Sequence, residues 1–111
     1  MKCLSIRQPN AHDIFFNGKD IENRTWATKY RGPIIIHISK RPHGDLPIGC
    51  LFGIVEIVDC VQKSKSKWFD GPNGFVLRNP IPFARPIPYK GSLSLFNVPD
   101  EIIKSVHFAK N

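Results

Sequence analysis

The sequence predicts one small α+β domain, mostly β: a mixed barrel of about six strands with one early helix and a short C-terminal helix. Three observations lead there. The chain has 111 residues, which suits a single domain over residues 1–111, and 41% of them are hydrophobic, enough for one core. Its apolar and β-branched residues come in short runs separated by Gly, Pro and Asn clusters, the pattern of strands and turns. One early stretch, residues 10–16, instead spaces Ala11, Ile14 and Phe15 for a single buried helical face. No internal repeat or domain boundary interrupts the chain.

In order, residues 2–6 read as a first strand, and Pro9 suits entry to the helix over residues 10–16. Asn17-Gly18 ends that helix, because both residues tolerate positive φ. Residues 19–25 read as a second strand. Lys29 to Pro33 is a turn, and residues 33–39 form a buried strand because Ile34, Ile35 and Ile36 run without interruption. Residues 49–61 are long, apolar and β-branched, a central strand bent near Gly53. A polar loop over residues 62–73 follows, then a strand over residues 74–77. Residues 79–88 hold four prolines, which suits an irregular edge. Residues 93–98 form the last strand. Residues 99–106 close the chain as a short helix, with Asp100 and Glu101 at its positive end.

Sixteen Lys and Arg against nine Asp and Glu give a net charge of +7, which favours polyanionic partners, nucleic acid first. No stretch approaches the roughly 18 uninterrupted apolar residues of a membrane span, and residues 1–7 turn polar too soon for a signal peptide. Cys3, Cys50 and Cys60 are odd in number and lack metal spacing, so they read as buried, reduced thiols of a cytoplasmic protein. The sequence holds no recognisable Ser/His/Asp spacing, no phosphate-cradling glycine loop and no metal cluster. No cofactor or metal is expected.

The most informative segment runs from Asn17 to Arg24. It sets Lys19, Glu22 and Arg24 directly after a turn. Charged residues after a turn are commonly solvated surface. A carboxylate and two cations held together at a strand start also suit anion binding or a perturbed lysine. In a regular strand Glu22 and Arg24 share a face while Lys19 takes the other, so all three converge only if Lys19 belongs to the turn. Around this segment stand Leu4-Ser5-Ile6-Arg7-Gln8-Pro9, then Arg24-Thr25-Trp26, Tyr30-Arg31-Gly32-Pro33 and Ile36-His37-Ile38-Ser39-Lys40. This order resembles the ASCH family, whose fold is similar to the PUA RNA-binding domain and whose hallmark is G-x-K-x-x-E-x-R. Lys19, Glu22 and Arg24 match, and Asn17 replaces the leading Gly. The resemblance is densest over residues 4–40. It continues more weakly through Gly53 to Asp59, Trp68 to Pro72 and Lys90 to Leu93.

The resemblance implies a nucleic-acid-binding cleft, with RNA or a nucleotide-like ligand as partner. Its candidate residues are Arg7, Gln8, Lys19, Glu22, Arg24, Trp26, Ser39 and Lys40. Arg7 and Gln8, beside Pro9, can reach a phosphate or a base edge, or remain a surface Arg and a backbone-capping Gln. Trp26, Tyr30 and Trp68 are candidates for stacking on bases, with core packing the alternative. His37, inside an apolar run, reads as a hydrogen-bonded core histidine rather than a ligand. Relatives often carry an aromatic where this chain has Asn10 and another where it has Asn73, so amide hydrogen bonding replaces stacking there. The Lys63 to Lys67 cluster reads as a flexible basic loop offering salt-dependent phosphate contacts.

Two other classes of function stand beside this one. Some ASCH-like proteins are amidohydrolases of the N4-acylcytidine type, and another is described as a ribonuclease. Lys19 maps onto the reactive lysine, with Glu22 as the second catalytic candidate where the amidohydrolases carry a Thr. The third class is a protein-interaction adaptor that uses the proline-rich residues 79–88, which a proline-protected edge strand explains equally well.

Overall fold

A computed structural model of the chain describes residues 1–104 and 106–109. Its elements are β1 (Lys2–Ile6), α1 (Asn10–Phe16), β2 (Ile21–Arg24), β3 (Gly32–Ile38), β4 (Cys50–Val61), β5 (Asn73–Pro88), β6 (Leu95–Asn97) and α2 (Asp100–Ile103). The six strands form one sheet in the order β2-β5-β4-β3-β1-β6, curled into a half-barrel. β1 and β3 run parallel, with α1 and β2 in the crossover between them, and every other pair is antiparallel.

The core has two parts because the curled sheet is covered on both faces. Leu4, Ile6, Ile34, Ile36, Ile38, Val55, Ile57, Phe75 and Leu77 pack with Ala11, Ile14 and Phe15 of α1. Cys3, Ile35, Leu51, Phe83 and Val98 form the second cluster. β3 contributes to both, which is why its isoleucines run without polar alternation. The bend expected at Gly53 has a steric cause. A β-carbon there would stand 2.6 Å from both Ile81 O and Phe15 Cε1, and the β4–β5 register shifts at this residue. All three cysteines are free. Cys3 and Cys50 are buried, whereas Cys60 is half-exposed, against the expectation of three buried thiols.

Four elements differ from the sequence reading by more than one residue. β2 begins at Ile21, since Lys19 N donates to Asp13 O at 3.0 Å and Leu77 N to Asp20 O at 2.9 Å, which ties residues 19 and 20 into the turn. Within that turn only Gly18 takes positive φ, at 72°, while Asn17 sits at −123°. β6 begins at Leu95, because Ser94 has a φ of 56°. α2 ends at Ile103. Ser105, inside the expected helix, lies outside the described residues, and His107 O instead accepts from Ala84 N at 2.7 Å. The largest difference is β5, one strand paired with β4 through Pro88 where a break was expected. Pro80, Pro82, Pro86 and Pro88 stand at alternate positions with Ala84, whose backbone faces outward. Their missing N–H groups therefore fall on the open edge, where Pro82 O accepts from Ala109 N at 2.9 Å.

Candidate functional site

The turn that ends α1 and carries Lys19 leads into β2, whose Glu22 and Arg24 face the end of β1. Glu22 is 6% exposed, and its Oε2 lies 3.2 Å from Arg24 Nη2. The same nitrogen donates to Ser5 O at 2.8 Å. Arg24 thus bridges two strands that do not pair in the sheet, and Glu22 orients it from below. Burial pushes the Glu22 carboxyl above the usual carboxylate range, although the nearby charges of Arg24 and Lys19 pull the other way.

Beside this pair lies a cavity of about 380 Å³ lined by Ser5, Arg7, Asn10, Glu22, Arg24, Ser39 and residues 92–94. Two of its lining groups are buried and have no hydrogen-bond partner among the described residues: Arg24 Nε and Ser39 Oγ. Buried donors in that state cost free energy unless something pairs with them. The residues that carry them, Arg24 and Ser39, line the same cavity.

The remaining candidates fall into four groups. Arg7, exposed, and Ser39 reach the cavity directly. Lys19 stands behind it. Its Nζ donates to Asn10 Oδ1 at 3.2 Å and lies 5.4 Å from the Trp68 ring centre, and Asn10 is what faces the cavity. Lys40 is exposed and lines an adjoining hollow. Gln8 and Trp26 do not line the cavity. The Gln8 amide is consumed internally, accepting from His12 N at 2.9 Å and donating to Pro47 O at 3.0 Å. Trp26 packs edge-on against Phe75 with ring centres 5.1 Å apart, as a core wall. Asn73 likewise serves the fold, accepting from Gln62 Nε2 at 3.0 Å.

Several residues of the site carried no clear signal in the sequence. Residues 92–94 have no apolar period, and Ser5 sits within a short strand. The loop holding Lys63 to Lys67 is anchored at its far end. Ser66 Oγ donates to Asp20 Oδ1 at 2.6 Å, and Asn23 Oδ1 accepts from Asp70 N at 2.8 Å and Gly71 N at 3.0 Å. This closure brings Lys67 to 5.0 Å from the centre of the Trp68 ring, which Lys19 approaches to 5.4 Å. His37 is buried as expected. Its Nε2 lies 2.7 Å from Tyr89 O, so that nitrogen carries the proton and Nδ1 accepts from Ser5 Oγ at 2.9 Å. Burial lowers the His37 pKa, which keeps the ring neutral. Among the described residues no group of three or more His, Cys, Asp or Glu is placed to hold a metal ion, and no helix is long and apolar enough to cross a membrane.

Comparison with known proteins adds three findings. The family model for the ASCH domain matches residues 4–93. Activating signal cointegrator 1 of Homo sapiens is 27% identical over an alignment covering 90% of this chain, and its Mus musculus counterpart is equally similar. The chain spans only 22% of the length of each. Among solved structures, the crystal structure of ASCH from Zymomonas mobilis superposes with a TM-score of 0.63 at 18% identity, covering 93% of this chain and 90% of that one.

Proposed function

The chain belongs to the ASCH domain family, a PUA-like fold family associated with RNA binding, and from that premise we propose that it binds single-stranded RNA at the Arg24 cavity. One observation carries the reading. Arg24, fixed by Glu22 and Ser5, and Ser39 line one cavity whose rim carries Arg7. A guanidinium fixed by Glu22 and Ser5 presents a planar donor edge without further loss of side-chain freedom, the geometry that phosphate oxygens and base carbonyls accept. Lys19, Lys67 and the net charge of +7 supply the surrounding field. Lys40 and Ser39 extend it beyond β3, while Gln8 and Trp26 support the walls from behind. Free thiols suit a reducing cytoplasmic setting, and burial pushes the Cys3 thiol up to about 12, leaving it inert.

The test is the affinity for a labelled single-stranded RNA as a function of salt. Binding that weakens linearly in log–log form, with a slope of about −0.7 per phosphate neutralised, is the expected result. Absence of binding at low salt overturns the reading.

A second reading has one observation in its favour. Lys19 and Glu22 lie close enough for their charges to interact, and Glu22 is a buried carboxyl with a raised pKa at the edge of a cavity. A hydrolase acting on a modified nucleoside, or a ribonuclease, would draw on that pair, with Lys19 as the reactive group. The Asn10 contact holds Lys19 Nζ back from the cavity, so binding is the reading the geometry supports best.

A further inference from the structure

A second cavity adjoins the first. It holds about 860 Å³ and is walled by His37, Lys40, Gly49, Tyr89 and Lys90. Ser5, Ser39, Ser92 and Leu93 line both cavities, which makes them two lobes of one groove running past the end of β1. The lobes differ in chemistry. The first is mainly polar and holds Arg24 and Glu22. The second is mainly apolar, with two exposed lysines at its rim.

The second lobe is built by specific contacts. Gly49, at a φ of 64°, lets the Lys40 stem lie across the backbone, since a β-carbon there would stand 3.1 Å from Lys40 Cγ. The wall that begins at Tyr89 is fixed twice: Tyr89 N donates to Gly49 O at 3.1 Å, and His37 Nε2 donates to Tyr89 O at 2.7 Å. Gly91 then passes so close to the Ser5–His37 pair that a β-carbon would stand 2.7 Å from His37 Cε1 and 3.0 Å from Ser5 Oγ. The start of this wall, at Tyr89, is therefore held in place before any ligand arrives.

We propose that this groove takes two consecutive nucleotides of a single strand. One sits against Arg24 and Ser39. The base of its neighbour lies on the apolar wall of the second lobe, with phosphates turned to Lys40 and Lys90. The proposal rests on the RNA-binding reading and extends it. Continuity of the two lobes and the positive rim carry it, because an apolar platform flanked by cations is what an unpaired base and its phosphate require. A duplex keeps its bases stacked inside and has no use for the apolar lobe.

The test is displacement of a labelled oligouridylate of about eight nucleotides, within the range that small single-strand modules cover. The competitors are uridine monophosphate, diuridylate, an RNA hairpin and a short polyglutamate. Diuridylate is expected to compete about tenfold better than the monophosphate, roughly the worth of one stacked base. In the double variant Lys40→Ala/Lys90→Ala, both positions being exposed, the salt slope for the oligouridylate shrinks by about 1.4, the share of two phosphate contacts. If the oligonucleotide binds but diuridylate has no advantage and the slope is unchanged, the two-lobe proposal fails while the RNA reading stands. Competition by polyglutamate or by the hairpin equal to that of diuridylate also overturns it. If no oligonucleotide binds, both readings fall.

Discussion

Arg24→Ala is expected to lower stability at neutral pH by about 2–3 kcal/mol, with a loss of RNA affinity of about 30-fold or more. The stability loss follows from what Arg24 does for Glu22. Removing one partner of a buried ion pair leaves the other charge desolvated. The low end of the usual penalty applies because the Arg24 side chain is 25% exposed and Glu22 can take up a proton. The hydrogen bond from Nη2 to Ser5 O, which ties β2 to β1, goes as well. The pH dependence has a definite sign. A carboxyl whose folded pKa lies above its ordinary 4.5 binds more protons in the native state, so its charge costs stability as pH rises through the folded value. Without Arg24 that folded value rises further. The deficit should therefore be small at about pH 4 and large at about pH 8, and Glu22→Gln placed on Arg24→Ala should remove most of the difference. Urea midpoints of the single and double variants at both pH values check this. An equal deficit at both would contradict the buried-pair account.

Phe75→Ala is expected to cost about 3–5 kcal/mol, a large part of the stability of a domain this size. Phe75 is fully buried. It stands where β5 pairs at once with Glu22 of β2 and Cys60 of β4. Its ring also carries Trp26 edge-on. The cavity left by its removal would lie beneath the strand that presents Glu22 and Arg24, so weaker RNA binding should accompany the stability loss. A calorimetric or urea measurement showing a loss under about 1 kcal/mol would mean that the β2–β5 junction does not depend on this ring.

The sequence reading succeeded where a local pattern matched a local cause. The Ile34 to Ile38 run, the spacing of Ala11, Ile14 and Phe15, and the bend at Gly53 all correspond to buried faces or steric limits in the structure. Residues 79–88 lie on an open edge as their prolines suggested, but their continuity with residues 73–77 in one strand was missed. What decides is the side to which each missing N–H turns, and here it turns away from β4. At the site, the shared face of Glu22 and Arg24 was legible from their spacing, whereas Lys19 was read into the strand and lies instead in the turn, behind the cavity. Gln8 and Trp26 carried the right chemistry, yet their partners, Pro47 and Phe75, are remote in sequence. The wall over residues 89–94 was not legible as part of the site. Its placement depends on His37 meeting Tyr89 O and on Gly91 lacking a side chain, and neither is a pattern within one segment.

The most direct test of the RNA-binding cavity is the map of backbone amide shifts when a short single-stranded RNA is titrated into the labelled protein at low salt. The account predicts the largest changes at Ser5, Arg24, Ser39 and residues 92–94, which surround the cavity. Changes confined to Lys63, Lys65 and Lys67, with those positions silent, would place binding on the basic loop and contradict it.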